Sequence, residues 1–233
     1  MLQKTKGIVL NYIKFKETSV ITKIYTEKFG VQSYIINGIR SKSSKKSLAL
    51  FQPLTLLELV VYIKKNDNNQ GGIKRLSEYK PLVAFRSIPF DIKKSAIAIF
   101  ITELISKALK EEEADENSIF PFFEKNIIYL DSAESNYENF HIQFIIQFAD
   151  YIGFGITGEN DIKILSSRLI GIEDIEQLTK AIISFKKNDF DVPFKISNEQ
   201  RKAILNLMLS YYASHIDGFK NMKSKSILQQ VFN

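Results

Sequence analysis

Through the first eighty residues, apolar and polar positions alternate over short runs. Gly7–Phe15 and Val20–Gly30 are rich in β-branched and aromatic residues, the composition of strands. In the second run Ile21, Lys23 and Tyr25 share one face and Val20, Thr22 and Ile24 the other. Glu27–Gly30 reads as a hairpin turn in which Gly30 supplies a positive φ. Val31–Gly38 follows as a third strand, closed by the turn signal Asn37-Gly38. Pro53 breaks the next apolar run and leaves Leu54–Ile63 as a near-continuous apolar strand of the kind buried on both sides. The polar loop Asn66–Gly72 precedes a fifth strand over Ile73–Leu82. Five short strands joined by tight turns predict a small closed or nearly closed barrel, of which the OB-fold is one solution.

Beyond Pro81 the repeat lengthens to that of helices. Ile97, Phe100, Ile101, Leu104, Ile105 and Ala108 stripe a helix over Ile92–Lys110. Ser118 reads as the N-cap of a second, with Pro121 in its first turn and Phe123, Ile127 and Leu130 on its apolar face. Phe140, Phe144, Ile145, Phe148 and Ile152 mark a third, stopped by Gly153–Gly155. A weaker fourth covers Glu173–Lys187. Ser197 and Gln200 form a capping box before a fifth, and a short sixth holds Ile227, Leu228, Val231 and Phe232. These stripes read as helix-bundle core. The predicted class is α+β: a five-stranded OB-fold barrel over residues 1–80, then an all-α domain over 81–233.

Composition adds exclusions. The chain of 233 residues has no cysteine, which removes disulfides, thiol nucleophiles and thiolate zinc sites and fits a reducing cytoplasm. No apolar run approaches the roughly 20 residues a helix needs to span a bilayer, and Met1–Phe15 has no long apolar signal region. The expectation is a cytoplasmic protein with no membrane contact. His141 and His215 stand alone on different helices and read as boundary residues. No H-E-x-x-H, glycine-rich phosphate loop or G-x-S-x-G occurs; Gly153–Gly158 reads as a helix stop and Glu111–Asp115 as an acidic helix end. Nothing argues for an enzyme, a cofactor or a bound metal.

Charge changes the picture. Of a net +6, residues 1–80 carry +10 (15 Lys/Arg against 5 Asp/Glu) and the remainder −4. An imbalance of that size between segments points to a polyanion meeting the first third. Gly38–Lys46 holds four cations, Arg40, Lys42, Lys45 and Lys46, three serines and no carboxylate. As the loop between the third and fourth strands it projects from a rigid scaffold, where binding loops tend to sit. Lys14, Lys16, Lys23, Lys74 and Arg75 extend the field into a track. Tyr12, Phe15, Tyr25 and Tyr34 offer stacking platforms for unpaired bases where they are exposed, and barrel core where they are not.

Several segments, in order, resemble the RecO family of bacterial recombination mediators: GIVL (Gly7–Leu10), KETSVI (Lys16–Ile21), YTEKFG (Tyr25–Gly30), NGIRSKSSK (Asn37–Lys45) and LFQPLTLLEL (Leu50–Leu59). ITELISKAL (Ile101–Leu109), FIIQFADYIGFG (Phe144–Gly155) and GFKNMKSKSILQQVF (Gly218–Phe232) continue the likeness across nearly the whole chain. The resemblance implies a non-enzymatic protein with an N-terminal OB-fold and a helical domain. Such a protein binds single- and double-stranded DNA, anneals complementary strands and helps load RecA onto strands coated by single-strand-binding protein. It implies RecR and the acidic, hydrophobic C-terminal tail of the single-strand-binding protein as partners. It assigns DNA contact to Arg40, Lys42, Lys45 and Lys46, and adds Lys223 and Lys225 from the basic segment KSKSIL (Lys223–Leu228).

Two departures stand out. Many members place a four-cysteine zinc module after the third helix; this chain has no cysteine, so over about 156–196 the module is either degenerate or replaced, and zinc is expected to be absent. Some relatives carry arginines just before the position of Phe144 that grip the acidic tail; here the residues are His141, Ile142 and Gln143. Two readings from other classes compete with a DNA-binding mediator: a protein-interaction scaffold whose barrel charge serves solubility, and an RNA-binding OB-fold protein.

Overall fold

Alternation in the first strand extends further than its β-branched run. In the computed structural model β1 spans Leu2–Phe15. The model describes residues 1–41, 48–62, 72–109, 119–156, 158, 161, 165, 167, 175–219 and 221–232. The first half of β1 pairs antiparallel with β4 (Leu56–Tyr62) and the second with β2 (Ser19–Thr26), with a register shift between Val9 and Asn11. One strand serving two neighbours must bend, and Gly7 sits at the bend. A Cβ there would lie 2.6 Å from Leu59 and 2.7 Å from Ile24, so no side chain fits.

β3 (Gly30–Ile36) follows β2 through the expected turn, and β5 (Lys74–Pro81) lies between β3 and β4. The barrel closes in the order β1-β2-β3-β5-β4, with β3 and β5 its parallel pair. This is the OB-fold arrangement, as expected. The β4 segment differs from the expectation of a strand buried on both sides: Leu57, Leu59 and Val61 face in, while Glu58 and Tyr62 are exposed. A closed barrel wall has an outer face, and an apolar run alone does not reveal it.

Val9, Val20, Ile24, Tyr34, Ile36, Leu57, Leu59, Val61 and Leu76 fill the barrel, and Phe51, on the single helical turn Leu48–Phe51, plugs it against the Tyr79 ring at 5.0 Å. A second cluster joins other barrel residues (Ile8, Leu10, Tyr25, Val31, Leu54, Leu56) to the helices. Tyr25 meets Phe123 edge-on at 5.3 Å and stacks on Phe120 at 6.2 Å. Barrel and helices thus share buried apolar surface.

The helices are α1 (Ile92–Ala108), α2 (Phe120–Ser132), α3 (Phe140–Tyr151), α4 (Ile175–Lys187), α5 (Asn198–His215) and α6 (Ser224–Val231). The Ser197–Gln200 capping box opens α5 as the sequence predicts, and Gly153 takes φ +87° after α3. α3 is more than a striped helix. Residues 140–146 are all buried, so it is the central rod of the helical part. His141 therefore lies in the core, not at its boundary: it is 1% exposed, with Phe100 and Phe232 beside its ring. Burial, with the Arg201 charge adding to it, drives its pKa down to about 3, so the ring is neutral. Ser118 and Glu111–Asp115 lie outside the described residues.

The connection from barrel to helices is held by buried charge. The carboxylate of Asp131 on α2 accepts N–H groups from Arg86, Ser87 and Ile88, while the Lys94 ammonium donates to the Asp131 and Ala133 carbonyls. Burial pushes the Asp131 carboxyl up, but the three N–H groups and Lys94 outweigh it and hold it below its ordinary value. Among the described residues no helix is long and apolar enough to cross a membrane.

Candidate nucleic-acid interface

Strand pairing carries one row of residues around the outside of the barrel. Ile13 on β1 registers with Ile21 on β2, Ile21 with Ile35 on β3, and Ile35 with Arg75 on β5. Val61 and Leu76 pair facing inward, so their neighbours Tyr62 and Arg75 project outward side by side. Ile13 is 60% and Tyr62 50% exposed at the two ends of this row, Ile21 and Ile35 are half-buried, and Arg75 stands between Ile35 and Tyr62. The next outward row is Asn11, Lys23 and Ser33.

Three further cations gather at the rim where β1 turns into β2. Lys14 registers with Val20 near the end of β1 and is exposed. Lys16 occupies a left-handed turn conformation, φ +50°, with its ammonium 5.5 Å from the Phe15 ring. Gly38, at φ +72°, turns the chain out of β3 so that Arg40 comes back onto this turn. The Arg40 N–H donates to the Thr18 carbonyl at 2.9 Å and its guanidinium to the Lys16 carbonyl at 3.3 Å. Arg40 is therefore held against the β1–β2 turn that carries Lys16. Lys42, Lys45 and Lys46 themselves lie outside the described residues.

Among the described residues, Lys14, Lys16, Lys23, Arg40, Lys74 and Arg75 make no ion pair, whereas Lys6 and Lys80 of the same barrel are tied to Glu124 and Glu58, each at 2.9 Å. Lys74 registers with Tyr34 at the start of β5. Lys223 and Lys225 are not brought to these strands. They ride on the first turn of α6, where Glu103 of α1 accepts the Lys223 and Ser224 N–H groups at 3.0 and 2.8 Å.

The stacking platforms need correction. Tyr25 and Tyr34 are 5% and 1% exposed and belong to the two cores. Tyr12 is half-buried against the barrel core, and Phe15 is half-buried under Lys16. Ile13 and Tyr62 stand on the surface instead. A signal for Tyr62 was present: counting in twos from the charged Glu58 reaches Val60 and Tyr62, which marks the outer face.

The positions that would grip an acidic tail are buried here, His141, Ile142 and Gln143 alike. Close by, a shallow cleft of about 20 Å³ between α5 and α6 is lined by His141, Arg201, Lys202, Leu205, Leu228 and Phe232. The Arg201 guanidinium lies 5.8 Å from the Phe232 ring and donates to Asn139 at 2.9 Å. Among the described residues no cluster of His, Asp and Glu is placed to hold a metal ion.

Comparison with known proteins agrees with this architecture. The family model described as "Recombination protein O N terminal" matches residues 1–85, and "Recombination protein O C terminal" matches 89–163. A protein of Flavobacterium psychrophilum named "DNA repair protein RecO" is 34% identical, over 99% of both chains. Proteins of the same name from Azobacteroides pseudotrichonymphae and Phocaeicola vulgatus are 33% and 30% identical over the full length of each chain. The barrel, the helices behind it and these matches along the whole chain lead to one conclusion: the chain belongs to the RecO family.

Proposed function

We propose that this chain is a non-enzymatic DNA repair and homologous-recombination mediator. It binds single- and double-stranded DNA on the barrel, anneals complementary strands and helps load RecA onto strands coated by single-strand-binding protein. It works in the cytoplasm, at the nucleoid, with RecR as a partner. The observation that carries this reading is the set of barrel cations that make no ion pair among the described residues, with Lys14, Lys16 and Arg40 at one rim and Lys23, Lys74 and Arg75 on the strands. Phosphates bind such a surface by releasing counterions, with little preference among bases. The cleft bearing Arg201, Lys202, Leu205 and Phe232 offers both cations and apolar surface for the acidic, hydrophobic tail of the single-strand-binding protein, in place of the buried His141–Gln143 positions.

The test is binding and annealing of mixed-sequence strands across salt concentrations. With about five phosphates neutralised, log K falls against log salt with a slope of roughly −3.5. Replacing Arg40, Lys42, Lys45 and Lys46 together by alanine reduces the steepness of that slope by roughly 3 and weakens binding at every sequence. The melting temperature stays near wild type, because exposed charges add little to folding. A flat salt response from the wild-type chain sinks the reading in favour of a scaffold. Clear preference for RNA over DNA of the same sequence moves it to RNA.

A further inference from the structure

The seam between β3 and β5 is the thinnest part of the barrel wall. Among the described residues only Tyr34–Lys74 and Ile35–Arg75 register across it. Beyond them an opening of about 510 Å³ is lined by Ile35, Asn37, Tyr62, Arg75 and Ser77 among others, within the range of roughly 300–1,000 Å³ usual for ligand sites. The ladder between β4 and β5 steps from Val60–Glu78 to Val61–Leu76, which leaves Ser77 as the extra residue of a bulge. Bulges re-aim side chains beside functional sites, and Ser77 is exposed here.

The chemistry of the lining selects its occupant. Tyr62 presents a half-exposed ring and Ile35 an apolar flank. Arg75 supplies a cation without an ion-pair partner among the described residues. Asn37 takes the Ser19 hydroxyl on Oδ1 at 3.1 Å, which leaves its NH2 to donate, and the Ser77 hydroxyl both donates and accepts. Among the described residues no carboxylate lines the opening. The complement of this set is a flat ring with polar edges attached to an anionic chain. A base inside a duplex has its faces covered, so only an unstacked one can enter.

We propose that the opening between β3 and β5 is a subsite for one unpaired base of single-stranded DNA, stacked on Tyr62, with Arg75 at the adjoining phosphate and Asn37 and Ser77 at the base edge. The inference rests on the DNA-binding reading above and adds to it a base-dependent component.

The experiment compares the full chain's affinity for a thymidine oligonucleotide and for an abasic strand of equal length at one salt concentration. Wild type binds the thymidine strand at least about fivefold more tightly, the effect of one stacked base. Tyr62→Ala removes that gap while leaving abasic affinity and salt slope unchanged, Tyr62→Phe keeps it, and Arg75→Gln weakens both strands alike. Photo-crosslinking of wild type to a strand containing 5-iododeoxyuridine, which needs no variant, joins the base to Tyr62. Equal wild-type affinity for the two strands, a gap that survives Tyr62→Ala, or crosslinks confined to other residues overturns the subsite and leaves DNA binding standing. Binding to neither strand overturns both.

Discussion

On the barrel, Lys14, Lys16, Lys23, Arg40, Lys74 and Arg75 carry their charge without an ion-pair partner among the described residues. On the helices, Lys125 faces Asp189 at 2.9 Å, Lys180 faces Glu176 at 2.7 Å, Lys186 faces Asp150 at 2.5 Å, and Lys94 is buried among carbonyls. The same residue types therefore do different work. A paired cation projects little field, whereas neighbouring unpaired ones sum to a potential that collects anions. Folding gains little from the barrel arrangement, since exposed charges contribute on the order of 0–1 kcal/mol even when paired. The barrel arrangement is the one the proposed binding role calls for, whereas the buried charge of Lys94 and Asp131 on the helices is structural.

The contrast can be tested hardest at Asp131. Replacing it by alanine strands the Arg86, Ser87 and Ile88 N–H groups, while the Lys94 ammonium keeps its backbone carbonyls. A buried donor left unsatisfied costs roughly 1–3 kcal/mol, so the three together cost about 3 kcal/mol or more. Denaturant unfolding measures it, and DNA affinity per folded molecule stays at wild type. An Asp131→Ala chain as stable as wild type would end the claim that helical charge is structural.

A smaller effect sharpens the comparison through pH. His141 has a folded-state pKa of about 3 against 6.5 unfolded. The unfolded chain therefore takes up a proton first as pH falls. The associated stability is complete above about pH 6.5 and drains away toward pH 3, with about 2 kcal/mol gone by pH 5. His141→Phe keeps a ring between Phe100 and Phe232 and discards the Nδ1 that is buried without a partner among the described residues. Its stability between pH 7 and 5 falls by about 2 kcal/mol less than that of wild type. Parallel pH profiles would show that the buried ring is not neutral. The smallest effect belongs to the exposed pair of Lys125 and Asp189: Lys125→Ala melts within about 2 °C of wild type.

Most of the architecture was legible in the pattern of side chains. Alternation in twos located all five strands, and the 3.6-residue repeat located the helices, because each periodicity follows from local backbone geometry. The Ser197–Gln200 box and the glycine after α3 were equally readable, since a cap satisfies its own neighbours. Strand ends were read less well: β1 runs on to Leu2 because β4 is there to pair with it, which no local signal reports.

The sequence by itself determined that the first third is a basic, strand-rich body, that the rest is helical, and that Arg40, Lys23 and Arg75 belong to the charged part. Those properties reside in residue type and spacing along the chain. Only the tertiary structure decided which faces are wet. Closing the barrel buried Tyr34, docking the helices on it buried Tyr25, and packing around α3 buried His141, while Ile13 and Tyr62 stayed in water. Exposure depends on what packs against a side chain from distant parts of the chain, and short-range periodicity carries no record of that partner.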